Sequence, residues 1–355
     1  MDLIKYSTYA EIAPPEPLNL GVAYHSNRIT EQVREDMKDT IRHHMNLVQH
    51  TFSFNDMKRH LPVMKDIISI TESFGLDCWI NCYGIGGPPG EVSNALSYCD
   101  NAHQVKSDGT VDPDRGCFNN KSFRDFMKKW IDAAKECGTK KIMWDEPHFW
   151  GDADGTYRCT CDTCKKLFKE KYGKDMPRFI DDDVRVFQKE SLEDYFGEIT
   201  EYAHQCEIEN IIAIMPESLG FYDSLIKLPY VDNMGCDPYW TAETRNPYGK
   251  VYSVSKEFVK QTTDAGKKAH IWIQAHYNPT GREEEVTVAA DAAYDAGART
   301  ILAWSYRGGE ACFYRSDNPE RVWDITGEAM RRIKDRHMDA ERERMRKYLA
   351  ERGEL

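Results

Sequence analysis

The segment 141–150 reads KIMWDEPHFW and places two carboxylates, Asp145 and Glu146, directly behind an apolar run, with a proline after them. Neighbouring acids disfavour each other's charge, and burial raises the pKa of at least one. That is the condition a general acid needs. A second reactive group follows at once: Cys159, Cys161 and Cys164 form C-x-C-x₂-C. Three thiols at that spacing can share one tetrahedral cation; the plain alternative is three loose thiols in a loop.

These groups need a scaffold, and the chain supplies a repeating one. Short apolar runs alternate with amphipathic stretches eight times. The runs are LNLGVAY (18–24), LVQHTFSF (47–54), LDCWINCYGIGG (76–87), KKIMWDE (140–146), IIAIMPES (211–218), VDNMGCDPYW (231–240), AHIWIQAHY (269–277) and RTILAWSY (299–306). Near-continuous apolar strands separated by helices predict a parallel sheet covered on its outer face, and eight repeats predict a closed (β/α)₈ TIM barrel. A doubly wound open sheet is the alternative, but no glycine-rich turn follows the first run. The expectation is one barrel over 1–335, with a cysteine-bearing insertion after strand 4 and a charged helix or tail over 336–355. The segment between 87 and about 119 reads as a long polar loop.

The 355 residues are 41% hydrophobic and 12% aromatic, with a net charge of −12. That suits a large folded core and argues against a phosphate-backbone or anionic-membrane surface. No apolar run reaches membrane-spanning length, and no secretory pattern opens the chain. Eleven cysteines, an odd number, suit a reducing compartment, so a cytoplasmic protein is expected. Cys78, Cys82, Cys137, Cys206, Cys236 and Cys312 read as inert core thiols.

Barrel chemistry gathers at the C-terminal ends of the strands. Read in order, those ends offer Tyr24, His25, Phe54, Tyr83, Asp145, Glu146, His148, Glu217, Asp237, Tyr239, Trp240, Gln274, His276, Trp304 and Tyr306. Acids between aromatic faces suit a carbohydrate, whose apolar ring face stacks on an aromatic side chain. A single rim histidine or tyrosine is more often a packing residue, Glu217 can serve a neighbouring strand, and Asp237 can cap a helix.

TKKIMWDEP resembles the fourth strand of clan-A glycoside hydrolases, which ends in Asn-Glu-Pro with the glutamate as acid/base. The resemblance makes Glu146 the proton donor and sets Asp145 in place of the asparagine. Trp304 resembles the clan's substrate-stacking tryptophan. RGCFNNKSFRDF and YRCTCDTCKKLFKEKYG are similar to the zinc-cysteine segments of family 42 β-galactosidases. The resemblance implies a structural Zn²⁺ on Cys117, Cys159, Cys161 and Cys164, with four thiolates and no open position.

The clan's seventh strand ends in a nucleophilic glutamate, where this chain carries Gln274. An amide cannot form that intermediate. Substrate-assisted hydrolysis needs no protein nucleophile, because the sugar's own 2-acetamido oxygen attacks. The Asp-Glu-Pro wording is similar to that of family 123, and the Asp-Glu pair to that of family 20 N-acetylhexosaminidases. By that resemblance Asp145 orients the acetamido group and Tyr239 bonds its carbonyl. The expected function is a retaining β-N-acetylhexosaminidase acting on β-GalNAc or β-GlcNAc. Two alternatives stay open: a β-galactosidase-like enzyme pairing Glu146 with Glu217 or Asp237, and a barrel that binds sugar without cleaving it. Either way the partner is a glycoside or oligosaccharide; linkage, endo or exo action and a homo-oligomer are left open.

Overall fold

The computed structural model describes residues 16–81, 96, 99–147, 149, 155–216 and 223–353. Tyr83, His148 and Glu217, and with them Cys82, lie outside the described residues. Eight parallel strands close into a barrel: β1 (Asn19–Tyr24), β2 (Leu47–Thr51), β3 (Asp77–Asn81), β6 (Lys141–Asp145), β7 (Glu209–Ile214), β8 (Asn233–Cys236), β9 (Lys268–Gln274) and β10 (Thr300–Trp304), with β10 pairing back to β1. The expected (β/α)₈ barrel is the fold.

Alternation along each strand divides its side chains between two cores. Inward residues Ala23, Leu47, Trp79, Met143, Ile211, Ala213, Trp272 and Leu302 form a compact cluster inside the barrel. Outward residues join the larger layer under the helices. Gly235 is required inside: a Cβ there would lie 1.8 Å from His270 Nε2, so only a hydrogen leaves room for that imidazole.

Among the described residues the α-helices are α1 (Thr30–Arg42), α2 (Phe54–Arg59), α3 (Leu61–Ser73), α4 (Lys121–Glu136), α5 (Asp162–Tyr172), α6 (Asp182–Gln205), α7 (Pro247–Asp264), α8 (Glu285–Asp295) and α9 (Pro319–Glu351). Helix α4 illustrates why they form. Asn120 caps it by accepting from Phe123 N, and Phe123, Met127, Trp130, Ile131 and Ala134 recur at helical spacing on its buried face. Residues 336–351 are helical and continue α9.

Two elements differ from the sequence expectation. The second apolar run stops at Thr51, because Ser53 and Asp56 form a capping box that starts α2 at Phe54. Within the expected polar loop, β4 (His103–Val105) and β5 (Val111–Gly116) pair as an antiparallel hairpin. Its strands carry Gln, Asp, Pro and Arg, so hydrophobic periodicity does not reveal them.

Candidate active site and cysteine centre

The C-terminal ends of the strands surround a cavity of about 300 Å³ lined by Asp145, Glu146 and Asp237 among aromatic side chains. Asp145 is the last residue of β6 and pairs in register with Ala213 of β7. In an extended strand the next side chain would face the opposite way. Glu146 instead turns into the left-handed region, with φ 39°, while its N–H still bonds Ala213 O at 2.9 Å. That turn breaks the alternation and lets both carboxyl groups line one cavity. A left-handed glutamate is costly backbone, of the kind that collects at functional sites.

The three acids cannot all be charged. Burial, then the charge of Glu146, pushes the Asp145 carboxyl up to about 7, opposed by a hydrogen bond from Asn81 Nδ2 to Asp145 Oδ2 at 3.1 Å. Asp145 and Glu146 are only half-buried, because the cavity opens above them, yet the surrounding protein still penalises their charge. Asp237, just past β8, is buried and pushed well above the usual carboxylate range. The causes are burial first, then the charge of Glu146 and a hydrogen bond to it, then the charge of Asp145. Asp237 therefore favours its protonated form beside Glu146.

Aromatic rings form the walls. Trp304 stands 6.0 Å from Trp272, nearly perpendicular to it, and His25 backs it at 4.4 Å. His25 also bonds Thr51 Oγ1, and burial, reinforced by Arg28, lowers its pKa to about 3. Across the cavity Tyr239 meets His276 edge-on at 4.9 Å. His276 Nδ1 donates to Trp304 O at 2.9 Å, and burial lowers the ring's pKa to about 4, so Nε2 is kept as an acceptor.

Of the residues expected from the sequence, Asp145, Glu146, Asp237, Tyr239, His276 and Trp304 come together in this cavity. Tyr24 and Tyr306 do not. Both are buried and donate to Asp36, at 2.6 Å and 3.0 Å, bracing β1 against the last turn. Trp240 is fully buried and donates its indole N–H to Glu285 at 2.8 Å. Gln274 is a clamp. Its oxygen accepts from Trp240 N and Thr241 N at 3.0 and 3.1 Å, and its amide donates to Thr241 Oγ1 and His276 O.

Asn81, Met215, Trp272 and Tyr314 were not singled out in the sequence, and each is at or beside the cavity. Asn81 has a signal, being a polar residue inside the third apolar run. Tyr314 had none, because it lies in the irregular segment that follows the eighth barrel strand.

Cys117, Cys159, Cys161 and Cys164 are buried, with all four Sγ atoms within 4.8 Å of one another. Cys117 lies 3.4 Å from Cys164 and 3.6 Å from Cys161, near the roughly 3.8 Å edge that Zn–S bonds of about 2.3 Å give a tetrahedron. Val105 N and Asn119 Nδ2 each donate to a sulfur at 3.4 Å, as partners of metal thiolates do. The four residues fit a metal ion such as zinc. The centre ties the β4–β5 hairpin to the loop after β6, and Phe118 beside Cys117 packs edge-on against Phe149, three residues past Glu146, at 5.1 Å.

No family model matches the chain, and no curated protein does. Among solved structures it is similar to the catalytic domain of β-amylase from Paenibacillus polymyxa, with 10% identity, TM-score 0.62, and coverage of 84% of this chain and 94% of that one. It is also similar to the endo-1,4-β-mannanase of Rhizomucor miehei, with 11% identity, TM-score 0.60, and coverage of 90% and 97%. For the endo-β-1,4-mannanase of Thermotoga petrophila the identity is 11%, the TM-score 0.58, and the coverage 90% and 77%. At such identity the likeness defines the class of fold, a (β/α)₈ barrel.

Proposed function

We propose that the chain is a retaining β-N-acetylhexosaminidase working by substrate assistance. The observation that carries this reading is the turn at Glu146, which brings two consecutive carboxyl groups into one aromatic-walled cavity. The names of the similar barrels, an amylase and two mannanases, agree with a glycan substrate.

In this reading the terminal sugar stacks on Trp304. The paired carboxyls share one proton; with it on Glu146, that residue gives it to the glycosidic oxygen as the oxygen leaves C1, and the acetamido carbonyl oxygen closes on C1 to form an oxazolinium. Asp145, ionised, accepts the acetamido N–H and stabilises the positive charge. Tyr239 donates its hydroxyl to the acetamido oxygen. Water then attacks C1, Glu146 takes its proton, and the ring reopens with net retention. Asp237, in contact with Glu146, holds it in place.

Direct contact between Asp237 and Glu146 weighs against Asp237 as a nucleophile. Retaining pairs stand about 5 Å apart with the sugar between them. Gln274 has no atom to spare for the role. We also assign a structural Zn²⁺ to the four cysteines, whose thiolates would fill its coordination sphere and fix the loop that carries Glu146.

The test compares Asp145→Asn and Glu146→Gln on 4-nitrophenyl β-N-acetylhexosaminides. Both should lose kcat by a factor of about 10³. Near wild-type turnover in Asp145→Asn would sink the proposal.

A further inference from the structure

Beside the carboxylate cavity lies a second and larger one, of about 460 Å³. The two share Tyr239 and His276, so this edge-on pair is the partition between them. The second cavity sits between the turns after β8 and β9, and both turns are fixed. Gln274 binds the first through Trp240 N and Thr241 N. Arg282 binds it through Thr241 O and Thr244 O, each at 2.8 Å, and closes on Glu285. The recess is therefore preformed.

Its lining has a definite chemistry. Tyr277 is 46% exposed, held at φ 49° with its N–H on Tyr314 O and its ring 5.2 Å from that of Tyr314. Outside the lining itself, Phe313, 74% exposed, packs at 3.9 Å on the same Tyr314, which lines the first cavity. Large aromatic groups left in solvent beside a cavity mark a binding surface. The polar contributions are Thr241 and the Glu243 carboxylate, oriented by Lys250 at 2.6 Å. Of the nearby cations, Lys250 is paired with Glu243, and Arg282 is committed to Glu285 and two carbonyls. Aromatic faces with a carboxylate acceptor suit a neutral, hydroxyl-bearing ring and disfavour a sulfated or uronic one.

Resting on the glycosidase reading, we infer that this recess binds a second, uncharged pyranose of the same glycan, next to the N-acetylhexosamine in the carboxylate cavity. The chain is thus built for an oligosaccharide, with Tyr277 as the stacking platform for its second unit.

The experiment is titration calorimetry on the catalytically silenced Glu146→Gln protein, alone and combined with Tyr277→Ala or Tyr277→Phe. The ligands are a methyl β-N-acetylhexosaminide and the β-linked disaccharide that adds a neutral hexose. The disaccharide should bind about tenfold tighter, the gain of one stacked ring. Tyr277→Ala should erase that gain and Tyr277→Phe should keep it, with monosaccharide affinity equal in all three. Equal affinity for the two sugars, or a gain that survives Tyr277→Ala, overturns the second site while leaving the first intact. Absence of binding by either sugar overturns the glycosidase reading and this inference with it.

Discussion

Asn81 and Asp145, at the ends of neighbouring barrel strands, are joined by one hydrogen bond of 3.1 Å. Asn81 is fully buried, so its amide is a fixed donor that favours the ionised form of Asp145 against burial and the charge of Glu146. Replacing it with Ala removes that support. The acidic limb of the kcat/KM profile, set by Asp145 near pH 7, should move to higher pH, and kcat should fall about tenfold. A pH profile of Asn81→Ala that overlays the wild type would contradict this.

The raised pKa of Asp145 also has a stability consequence. Between the unfolded carboxyl value of about 4 and the folded value of about 7, the native protein holds the extra proton. Wild-type stability therefore falls as pH rises through that window and levels off above it. Asp145→Asn removes the slope. Relative to the wild type, the variant should gain on the order of 1 kcal/mol between pH 4 and pH 8, a figure discounted for the carboxyl's partial contact with solvent. Urea titrations at the two pH values measure it.

Gln274 ends the seventh barrel strand, and every polar atom of its side chain is engaged. Gln274→Glu sets a second acceptor against the carbonyl of His276. It should cost about 1–3 kcal/mol of stability and create no activity on 2-hydroxy sugars. Urea unfolding and a β-galactoside assay check the two parts.

The cysteine centre predicts one zinc per chain by elemental analysis. Cys161→Ser should release it and lower the unfolding temperature by several degrees, with the loss of a buried ligand set. Because Phe118 and Phe149 link the centre to the Glu146 loop, activity should decline with metal loss.

The legible and illegible parts of this molecule separate on physical grounds. Eight apolar runs announce the barrel because a parallel strand buried on both faces has to be apolar almost throughout, as in β2 and β7. Asp145 and Glu146 were visible as charge at the end of such a run, and the C-x-C-x₂-C spacing announced the thiol cluster. The division of the rim residues was not visible. Tyr24 and Tyr239 are the same residue type near the C-terminal ends of barrel strands, and the half-buried Asp36 behind Tyr24 turns one of them into a brace. The left-handed turn at Glu146 and the arrival of Tyr314 depend on backbone geometry that no periodicity encodes.

The most direct test of the account is hydrolysis of a matched set of chromogenic glycosides, β-GalNAc and β-GlcNAc beside β-Gal and β-Glc. Substrate assistance predicts turnover confined to the 2-acetamido sugars. Comparable cleavage of the 2-hydroxy sugars would mean that a protein carboxylate attacks C1, and would contradict the role given to Asp145.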